Sequence, residues 1–165
     1  MTVEIRVLDP ADAETVLALH RAAASGVSGL AREPDEIGPD YIGHFLAHAT
    51  IRLGAFLDGR LAGEIHATRM APRQFRHVVT DLTIAVSPDV QGRGVGAALF
   101  EALFAEARRL SPAVERVELM VREGHTGAIR LYERLGFRIE GRFPRRVRLR
   151  DGTVEADLAM ARFLD

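Results

Sequence analysis

The chain has 165 residues, of which 47% are hydrophobic and 27% charged, with a formal net charge of −1. This length and composition suit a single globular domain over residues 1–165, and the balanced charge gives no general attraction to nucleic acid or anionic lipid. The absence of cysteine excludes disulfides, thiolate metal sites and a cysteine nucleophile. The N-terminal residues lack the apolar core of a signal peptide, and no apolar run approaches the roughly 20 residues of a membrane span, so we expect a cytoplasmic protein with no membrane partner.

The first half of the chain predicts two helices and four strands. Alternating apolar and polar residues predict a strand at residues 3–8, after which Asp9-Pro10 opens a helix that includes His20. Residues 25–39 are rich in Gly, Ser and Pro and predict a mobile loop, and a second helix follows, predicted to bury four residues: Tyr41, Ile42, Phe45 and Leu46. This second helix is predicted over residues 40–49, and the next three strands are predicted over residues 51–57, 60–68 and 77–86. Asp58-Gly59 predicts a hairpin, because both central positions of a type I′ turn need positive φ.

The second half alternates helices and strands before a closing hairpin. Helices are predicted over residues 95–110 and 126–135, the second ending at Gly136, a residue typical of helix C-termini. Strands are predicted over residues 114–121, 137–150 and 153–163, and Asp151-Gly152 is a second hairpin signal. The hairpins imply antiparallel pairing, whereas the strand–helix–strand passage from residue 77 to 121 implies a parallel crossover. Together these patterns predict an α+β fold with a mixed sheet flanked by helices.

A glycine-rich segment lies between the strand at 77–86 and the helix at 95–110. It consists of Gln91, Gly92, Arg93, Gly94, Val95, Gly96 and Ala97. Glycines let the backbone approach a ligand closely, and the first N–H groups of a helix have no acceptor within the helix and lie at the positive end of its dipole. Arg93 adds a full positive charge. The segment therefore predicts a phosphate or pyrophosphate site.

Two other phosphate sites are less consistent with this segment. A P-loop requires a lysine, and the chain contains none. The spacing of Gly92, Gly94 and Ala97 matches the dinucleotide-binding pattern, but residues 87–91 separate it from its strand and antiparallel-type strands precede it. A glycine-rich helix start that binds nothing remains the alternative.

Three motifs, the second made of two segments, together resemble the GNAT superfamily of N-acetyltransferases, in particular its small bacterial amino-acid and phosphinothricin-like members. Residues 82–99 read LTIAVSPDVQGRGVGAAL and look like the family's acetyl-CoA motif. Residues 117–121 read VELMV, and residues 128–137 read AIRLYERLGF. Residues 150–162, RDGTVEADLAMAR, are similar to the family's closing hairpin. The resemblance implies a mixed, mostly antiparallel central sheet of six to seven strands flanked by about four helices.

The resemblance also assigns residues to acetyl-CoA, the expected cosubstrate, with no metal. The pantetheine arm would pair with a strand end formed by Ile84, Ala85 and Val86, if that strand splays from residues 117–121. The pyrophosphate would bind the glycine segment at Gln91, Gly92, Arg93, Gly94, Val95, Gly96 and Ala97. His125 stands where the family commonly has an asparagine that touches the cofactor.

Tyr132 corresponds to the family's usual general acid. A neutral phenol with a pKa of about 10 can donate a proton to a thiolate whose conjugate thiol has a pKa of about 8.5. The residues alone favour a core tyrosine, because Tyr132 shares a helix face with Ala128, Ile129 and Leu135. The general base is left open among Asp81, Glu64, His66 and water, and the plainer interpretation of each side chain is an exposed strand residue.

We therefore expect an acetyl-CoA-dependent N-acetyltransferase acting on a primary amine of a small molecule, such as an amino acid. The alternatives are a non-catalytic acyl-CoA-binding module and an enzyme that acetylates proteins or peptides. A basic cluster, Arg142, Arg145, Arg146, Arg148 and Arg150, fits a solvated edge strand better than a carboxylate site, and nucleic-acid binding is not expected. Dimers are common in the family, so a homodimer is kept as one alternative.

Overall fold

The computed structural model describes residues 2–25 and 30–165, and within them the strands form a seven-stranded sheet in the order β1-β2-β3-β4-β5-β7-β6. The strands are β1 (Glu4–Val7), β2 (Ile51–Leu57), β3 (Arg60–Arg69), β4 (Val78–Val86), β5 (Arg116–Arg122), β6 (Arg138–Arg148) and β7 (Val154–Phe163). The helices are α1 (Ala13–Ala24), α2 (Pro39–His48), α3 (Val95–Arg109) and α4 (Thr126–Arg134). Adjacent strands are antiparallel except β4 and β5, so the expected mixed, mostly antiparallel α+β fold is confirmed.

Both predicted hairpins are present, with different turns. Asp58 and Gly59 have φ of +50° and +77°, as a type I′ turn requires. At the second hairpin only Gly152 has a positive φ, +88°. The Leu149 N–H donates to the Thr153 carbonyl at 2.8 Å, and the Gly152 N–H donates to the Leu149 carbonyl at 2.9 Å. This is a longer loop closed by one left-handed glycine, a common alternative to the two-residue turn.

The helices cover the two faces of the sheet. On one face α1 and α2 bury an apolar layer that includes Val16, Leu19, Ile42, Phe45 and Leu46. On the other face α3 and α4 bury a larger layer that includes Leu99, Phe100, Leu103, Tyr132 and Phe137. Neighbouring residues of β4 belong to different layers, Ala85 to the first and Ile84 to the second. None of the helices in the described residues is long and apolar enough to cross a membrane.

The segment before α2 differs in part from its prediction. The α2 helix begins at Pro39, one residue earlier than predicted, and of the four residues expected in its core Tyr41 is only partly buried. Residues 34–36 form a short 3-10 turn within the predicted loop. Residues 26–29 of that loop lie outside the described part of the chain, so the mobility of the loop stays a prediction.

The basic cluster lies on and beside β6, which is the edge strand of the sheet and is largely exposed. The solvated-edge interpretation is therefore confirmed. Three of the arginines form surface ion pairs: Arg142 with Glu123, Arg146 with Asp157 and Arg150 with Glu33. Charge along an open edge discourages pairing with another sheet.

The strands β4 and β5 pair only at their first residues and then separate. The pairs are Val78 with Arg116 and Val79 with Val117. Just beyond them the register of β3 against β4 shifts between His66 and Thr68, and Asp81 of β4 has φ of +51°. A bulge of this kind bends a strand and disrupts its ladder locally. The splay on which the pantetheine assignment depends is therefore present.

Candidate active site

A cavity of about 1330 Å³ follows the gap between β4 and β5. Its walls come from the splayed half of β4, the segment before α3, the start of α4 and the cavity side of α2. The volume exceeds the roughly 300–1,000 Å³ typical of small-molecule sites. A cavity of this size, reaching from a helix N-terminus to the opposite helix layer, has room for a long ligand and a second, smaller one.

Six of the seven residues of the glycine segment border this cavity, namely Gln91, Gly92, Gly94, Val95, Gly96 and Ala97. Arg93 is exposed and does not border it. Gly92 and Gly94 have φ of +77° and +83°, a region that favours glycine. Gly94 caps α3, and the first helical hydrogen bond runs from the Ala98 N–H to the Gly94 carbonyl at 3.0 Å.

The N–H groups of the first turn of α3 thus have no backbone acceptor in the described part of the chain. These belong to Val95, Gly96 and Ala97. Together with the helix dipole, these N–H groups are suited to bind an anion.

The free edge of β4 supplies a second row of backbone groups. The Ser87 N–H donates to the Ala62 carbonyl of β3 at 2.8 Å, and Val86 and Ile84 lie opposite Gly63 and Ile65. Since antiparallel pairs alternate between hydrogen-bonded and non-hydrogen-bonded, the N–H and C=O groups of Val86 and Ile84 point away from β3. They point into the gap, where an extended chain can pair with them. Ala85, the third predicted residue, also borders the cavity.

Replacing Gly94 with alanine tests the backbone requirement of this segment. A Cβ at Gly94 meets nothing within 4 Å, so the cost is conformational, about 1–2 kcal/mol for an L-residue with positive φ. Gly43 in α2 also has nothing within 4 Å of a Cβ but lies inside a helix, so Gly43→Ala should stabilise the protein by about 0.5–1 kcal/mol. Chemical unfolding of both variants measures the contrast. Equal effects would show that the left-handed backbone at Gly94 is not required.

Tyr132 lies on α4 where the cavity meets the larger apolar layer. Its side chain is 8% exposed and its ring packs against Phe100 and Phe137, with centroids 5.6 and 5.9 Å away. The chain reverses beyond it through Gly136, at φ of +89°, and the Phe137 N–H donates to the Tyr132 carbonyl at 2.9 Å. The ring is thus a core residue that also borders the cavity, and its role as a general acid stays a prediction.

The acidity of Tyr132 differs from the value used in its prediction. Burial raises the pKa of its phenol to about 12. The phenol is therefore neutral near pH 7 and is a weaker acid than a solvated tyrosine. Within the described residues its hydroxyl has no hydrogen-bond partner, which leaves its proton available to a ligand in the cavity.

His125 caps the N-terminus of α4. Its Nδ1 accepts a hydrogen bond from the Ala128 N–H at 3.3 Å, so the hydrogen of a neutral ring lies on Nε2. Burial, and then the charge of Arg122, lower the pKa of this imidazole, which favours the neutral form. The ring also borders the cavity. An asparagine at this position would cap the same helix, which accounts for the exchange of one residue type for the other.

The capping role gives a matched pair of variants. His125→Ala removes the side-chain acceptor and should destabilise the protein by about 0.5–2 kcal/mol, whereas His125→Asn should retain most of the stability. Thermal unfolding measures both. If alanine caused no loss of stability, the cap would contribute nothing; equal losses for alanine and asparagine would show that asparagine cannot replace the histidine as a cap.

The three candidate bases differ sharply in exposure. Asp81 is exposed, as predicted, and borders the cavity. The same prediction is wrong for Glu64 and His66, which are 0% and 5% exposed because α1 and α2 cover their face of β3. Both carboxylate oxygens of Glu64 are hydrogen-bonded, one to His66 and the other to His20 of α1, each at 2.8 Å.

The sequence pattern predicted His20 to lie on the first helix but gave no indication of a functional role for it. It is 1% exposed and shares the buried face of that helix with Val16 and Leu19. A histidine within an apolar helical stripe was the available signal, since a buried polar group needs a partner. Among the described residues no group of three or more His, Asp or Glu side chains is arranged to hold a metal ion.

Comparison with known proteins gives one family. Residues 15–137 match the acetyltransferase (GNAT) family. A mycothiol acetyltransferase of Propionibacterium freudenreichii subsp. shermanii is 35% identical over 81 residues, which are 49% of this chain and 25% of that protein. This chain therefore matches about a quarter of the length of that curated relative.

Two solved structures have the same fold over nearly the whole chain. An acetyltransferase of the GNAT family from Streptococcus pneumoniae has a TM-score of 0.86 at 25% identity, covering 98% of this chain and 99% of that one. A phosphinothricin acetyltransferase from Sinorhizobium meliloti, solved in complex with acetyl-CoA, has a TM-score of 0.86 at 21% identity, covering 99% and 89%. Because the family match covers residues 15–137, and with them the glycine segment, the splayed strands and Tyr132, this chain belongs to the acetyltransferase (GNAT) family.

Proposed function

We propose that this protein transfers the acetyl group of acetyl-CoA to the primary amine of a small molecule, an amino acid or a related amine. The observation that carries the proposal is the continuity of one cavity, which joins the anion site at α3 to the open edge of β4 and to Tyr132. The pyrophosphate of acetyl-CoA needs an anion site, its amide-containing arm needs an open strand edge, and its thioester needs a proton donor. These parts follow one another along the cofactor in the same order. No metal takes part.

The cofactor would use backbone groups for most of its contacts. The pyrophosphate binds the N–H groups that begin α3, within the segment from Gln91 to Ala97, and Arg93 contributes long-range attraction from outside the cavity. The pantetheine arm pairs with Ile84 and Val86 as an added strand, alongside Ala85. His125 donates from Nε2 to a carbonyl of that arm.

The chemistry proceeds by direct attack of the amine on the thioester within one complex. Holding both substrates in one cavity supplies much of the rate through proximity. The N–H of Val86 or Ile84 stabilises the oxyanion of the tetrahedral intermediate. Tyr132 hydrogen-bonds the sulfur and gives it a proton as the C–S bond breaks. Because the pKa of Tyr132 is raised to about 12, proton transfer from its phenol to a free thiolate is unfavourable. Tyr132 therefore first stabilises the charge that develops on sulfur by a hydrogen bond, and the proton transfer follows.

The acceptor would lie at the α2 end of the cavity. Tyr41, His44 and Phe45 form part of this wall, and the Arg32 guanidinium lies 3.9 Å from the centre of the Tyr41 ring. A guanidinium held on an aromatic face is suited to a carboxylate. This favours an acceptor that carries a carboxylate beside its amine.

The test is thiol release from acetyl-CoA with a panel of amines, followed by mass spectrometry of the products. We expect thiol release only with particular small amines. The mass of the amine should increase by about 42 Da, because an acetyl group replaces a hydrogen. Tight acetyl-CoA binding with no amine-dependent release would instead favour a non-catalytic module. Acetylation of peptides alone would favour a protein acetyltransferase. Cytoplasmic location and a homodimeric state remain predictions.

A further inference from the structure

A chain of three buried polar side chains crosses the layer between α1 and β3. Glu64 lies at its centre, fully buried, and its two oxygens accept hydrogen bonds from His20 Nε2 and His66 Nδ1, each at 2.8 Å. A buried charge is tolerated when it is paired and hydrogen-bonded, and here both oxygens are paired. No oxygen of Glu64 is left for a substrate.

Glu64 is the anionic member of the chain. Burial by itself raises the pKa of its carboxyl, but the charge that His66 carries when it is protonated, together with the hydrogen bonds from His20 and His66, outweighs burial and brings the pKa below its usual value. An ionised carboxylate only accepts hydrogen bonds. Nδ1 of His66 must therefore carry a hydrogen, and in the neutral ring the lone pair lies on Nε2.

His66 alone among the three borders the cavity. It lies on β3 opposite Thr83 of β4, in the half of that strand that has separated from β5. The Phe45 ring stacks on the imidazole with centroids 3.9 Å apart and planes 12° apart, which fixes the ring orientation. An imidazole with one nitrogen held by a buried carboxylate and a cavity against its ring is arranged as a proton acceptor.

The geometry points to His66 as the residue that takes the proton of the acceptor ammonium, with Glu64 and His20 as positioning residues behind it. This inference rests on the proposed function and names the proton route within it. Protonation of His66 also places a positive charge beside a buried carboxylate, so the pair becomes neutral as the amine is activated.

The proton balance is complete within the cavity. The ammonium gives one proton to His66 Nε2, and the neutral amine forms the C–N bond to the thioester carbon. The C–S bond breaks, sulfur takes a proton from Tyr132, and Tyr132 regains one from the new amide nitrogen. His66 releases its proton to solvent, so the sum is amide, thiol and one free proton.

Asp81 is the competing acceptor of that proton. It borders the same cavity but is exposed at the bulge of β4, with φ of +51°, where solvent reaches it. Nothing in the described residues orients its carboxylate by a hydrogen bond or an ion pair. A base must be held in reach of the proton it removes, and the His66 ring is held by its hydrogen bond to Glu64 and by the stacked ring of Phe45.

The experiment compares three single variants with acetyl-CoA and the best amine. His66→Ala should lower kcat/KM for the amine by about 100-fold or more, within the range for loss of a general base, with acetyl-CoA affinity unchanged by calorimetry. Added imidazole should restore part of that rate, because the deletion opens a space beside Phe45. His77→Ala removes an exposed histidine outside the cavity and is the matched control, with no loss and no response to imidazole. Asp81→Asn should lower kcat/KM by less than His66→Ala.

Glu64→Gln tests the positioning role. Glutamine keeps one acceptor oxygen, which serves one of the two imidazoles, and replaces the other oxygen with an amide N–H2 donor. With that donor facing His66, the ring must accept at Nδ1, so its hydrogen moves to Nε2 and the Nε2 lone pair is lost. Nitrogen-15 NMR of the imidazoles should show His66 with its hydrogen on Nδ1 in the wild type and on Nε2 in this variant. Loss of kcat/KM without that change of tautomer would contradict the role.

The outcomes separate the two proposals. If the wild type acetylates an amine and His66→Ala keeps its rate, or only Asp81→Asn loses it, the proton route is wrong and the proposed function stands. If the wild type binds acetyl-CoA and acetylates no amine, the proposed function is wrong and the proton route falls with it. A rate lost in His66→Ala and partly restored by imidazole supports both.

Discussion

Replacing Tyr132 with phenylalanine should abolish most of the turnover and leave acetyl-CoA bound as tightly as in the wild type. The substitution removes only the hydroxyl, so the packing against Phe100 and Phe137 remains. A positioned general acid typically contributes about 10²–10⁴-fold. We expect kcat to fall within that range, with thiol release as the measurement and calorimetry for the affinity.

The choice of acyl donor supplies a further control for Tyr132. A phenol that protonates sulfur matters less when the leaving thiolate needs no proton. Tyr132→Phe should therefore transfer the acyl group of a donor with a more acidic thiol at nearly the wild-type rate. A Tyr132→Phe variant with full turnover on acetyl-CoA would remove Tyr132 from the mechanism. A variant that loses acetyl-CoA affinity as well would assign it to binding.

Replacing Glu64 with alanine should destabilise the protein more than any surface substitution. The change leaves two buried imidazole N–H groups without an acceptor, since His20 and His66 both donate to Glu64 at 2.8 Å. Removing one partner from a buried ionic network costs about 3–5 kcal/mol. For a chain of this size the melting temperature should fall by about 6–20 °C.

Glu64→Gln is the matched variant for that prediction. Glutamine retains the volume and one acceptor oxygen, so its cost in unfolding free energy should be clearly smaller than that of alanine. Urea unfolding of the wild type and the two variants measures the difference. Equal losses for glutamine and alanine would assign the effect to the charge alone, and no loss for either would contradict the buried network.

Much of the fold was predictable because local signals agree with the final packing. Asp58-Gly59 has positive φ at both positions, and Gly136 ends α4 in the left-handed conformation that its residue type favours. The helix start after the segment from Gln91 to Ala97 was predictable in the same way, since free N–H groups at a helix start depend only on local backbone. These features need no knowledge of distant contacts.

Features that depend on distant contacts were not predictable. Glu64 and His20 are separated by 44 residues, and only the packing of α1 against β3 joins them. Strand alternation gave the common face of Glu64 and His66 correctly, but not the helices that cover that face. The raised pKa of Tyr132 follows from burial, which helical periodicity indicates only in outline.

The acceptor end of the cavity remains the least determined by sequence. It combines Arg32 and Tyr41 with residues of β4 that are distant in the chain, and no motif links them. The donor end is built from backbone groups that any suitable glycine segment supplies, whereas acceptor choice depends on individual side chains. The family resemblance therefore extends to the donor more readily than to the amine.

We propose that the gap between β4 and β5 and the start of α3 form one site for acetyl-CoA, and a crystal structure of the complex is the decisive experiment. We expect pyrophosphate oxygens at about 2.7–3.2 Å from the N–H groups of Val95, Gly96 or Ala97, and the pantetheine arm paired with Ile84 and Val86. Acetyl-CoA bound outside this gap, or β4 and β5 paired beyond Val79 with the cofactor present, would contradict the account.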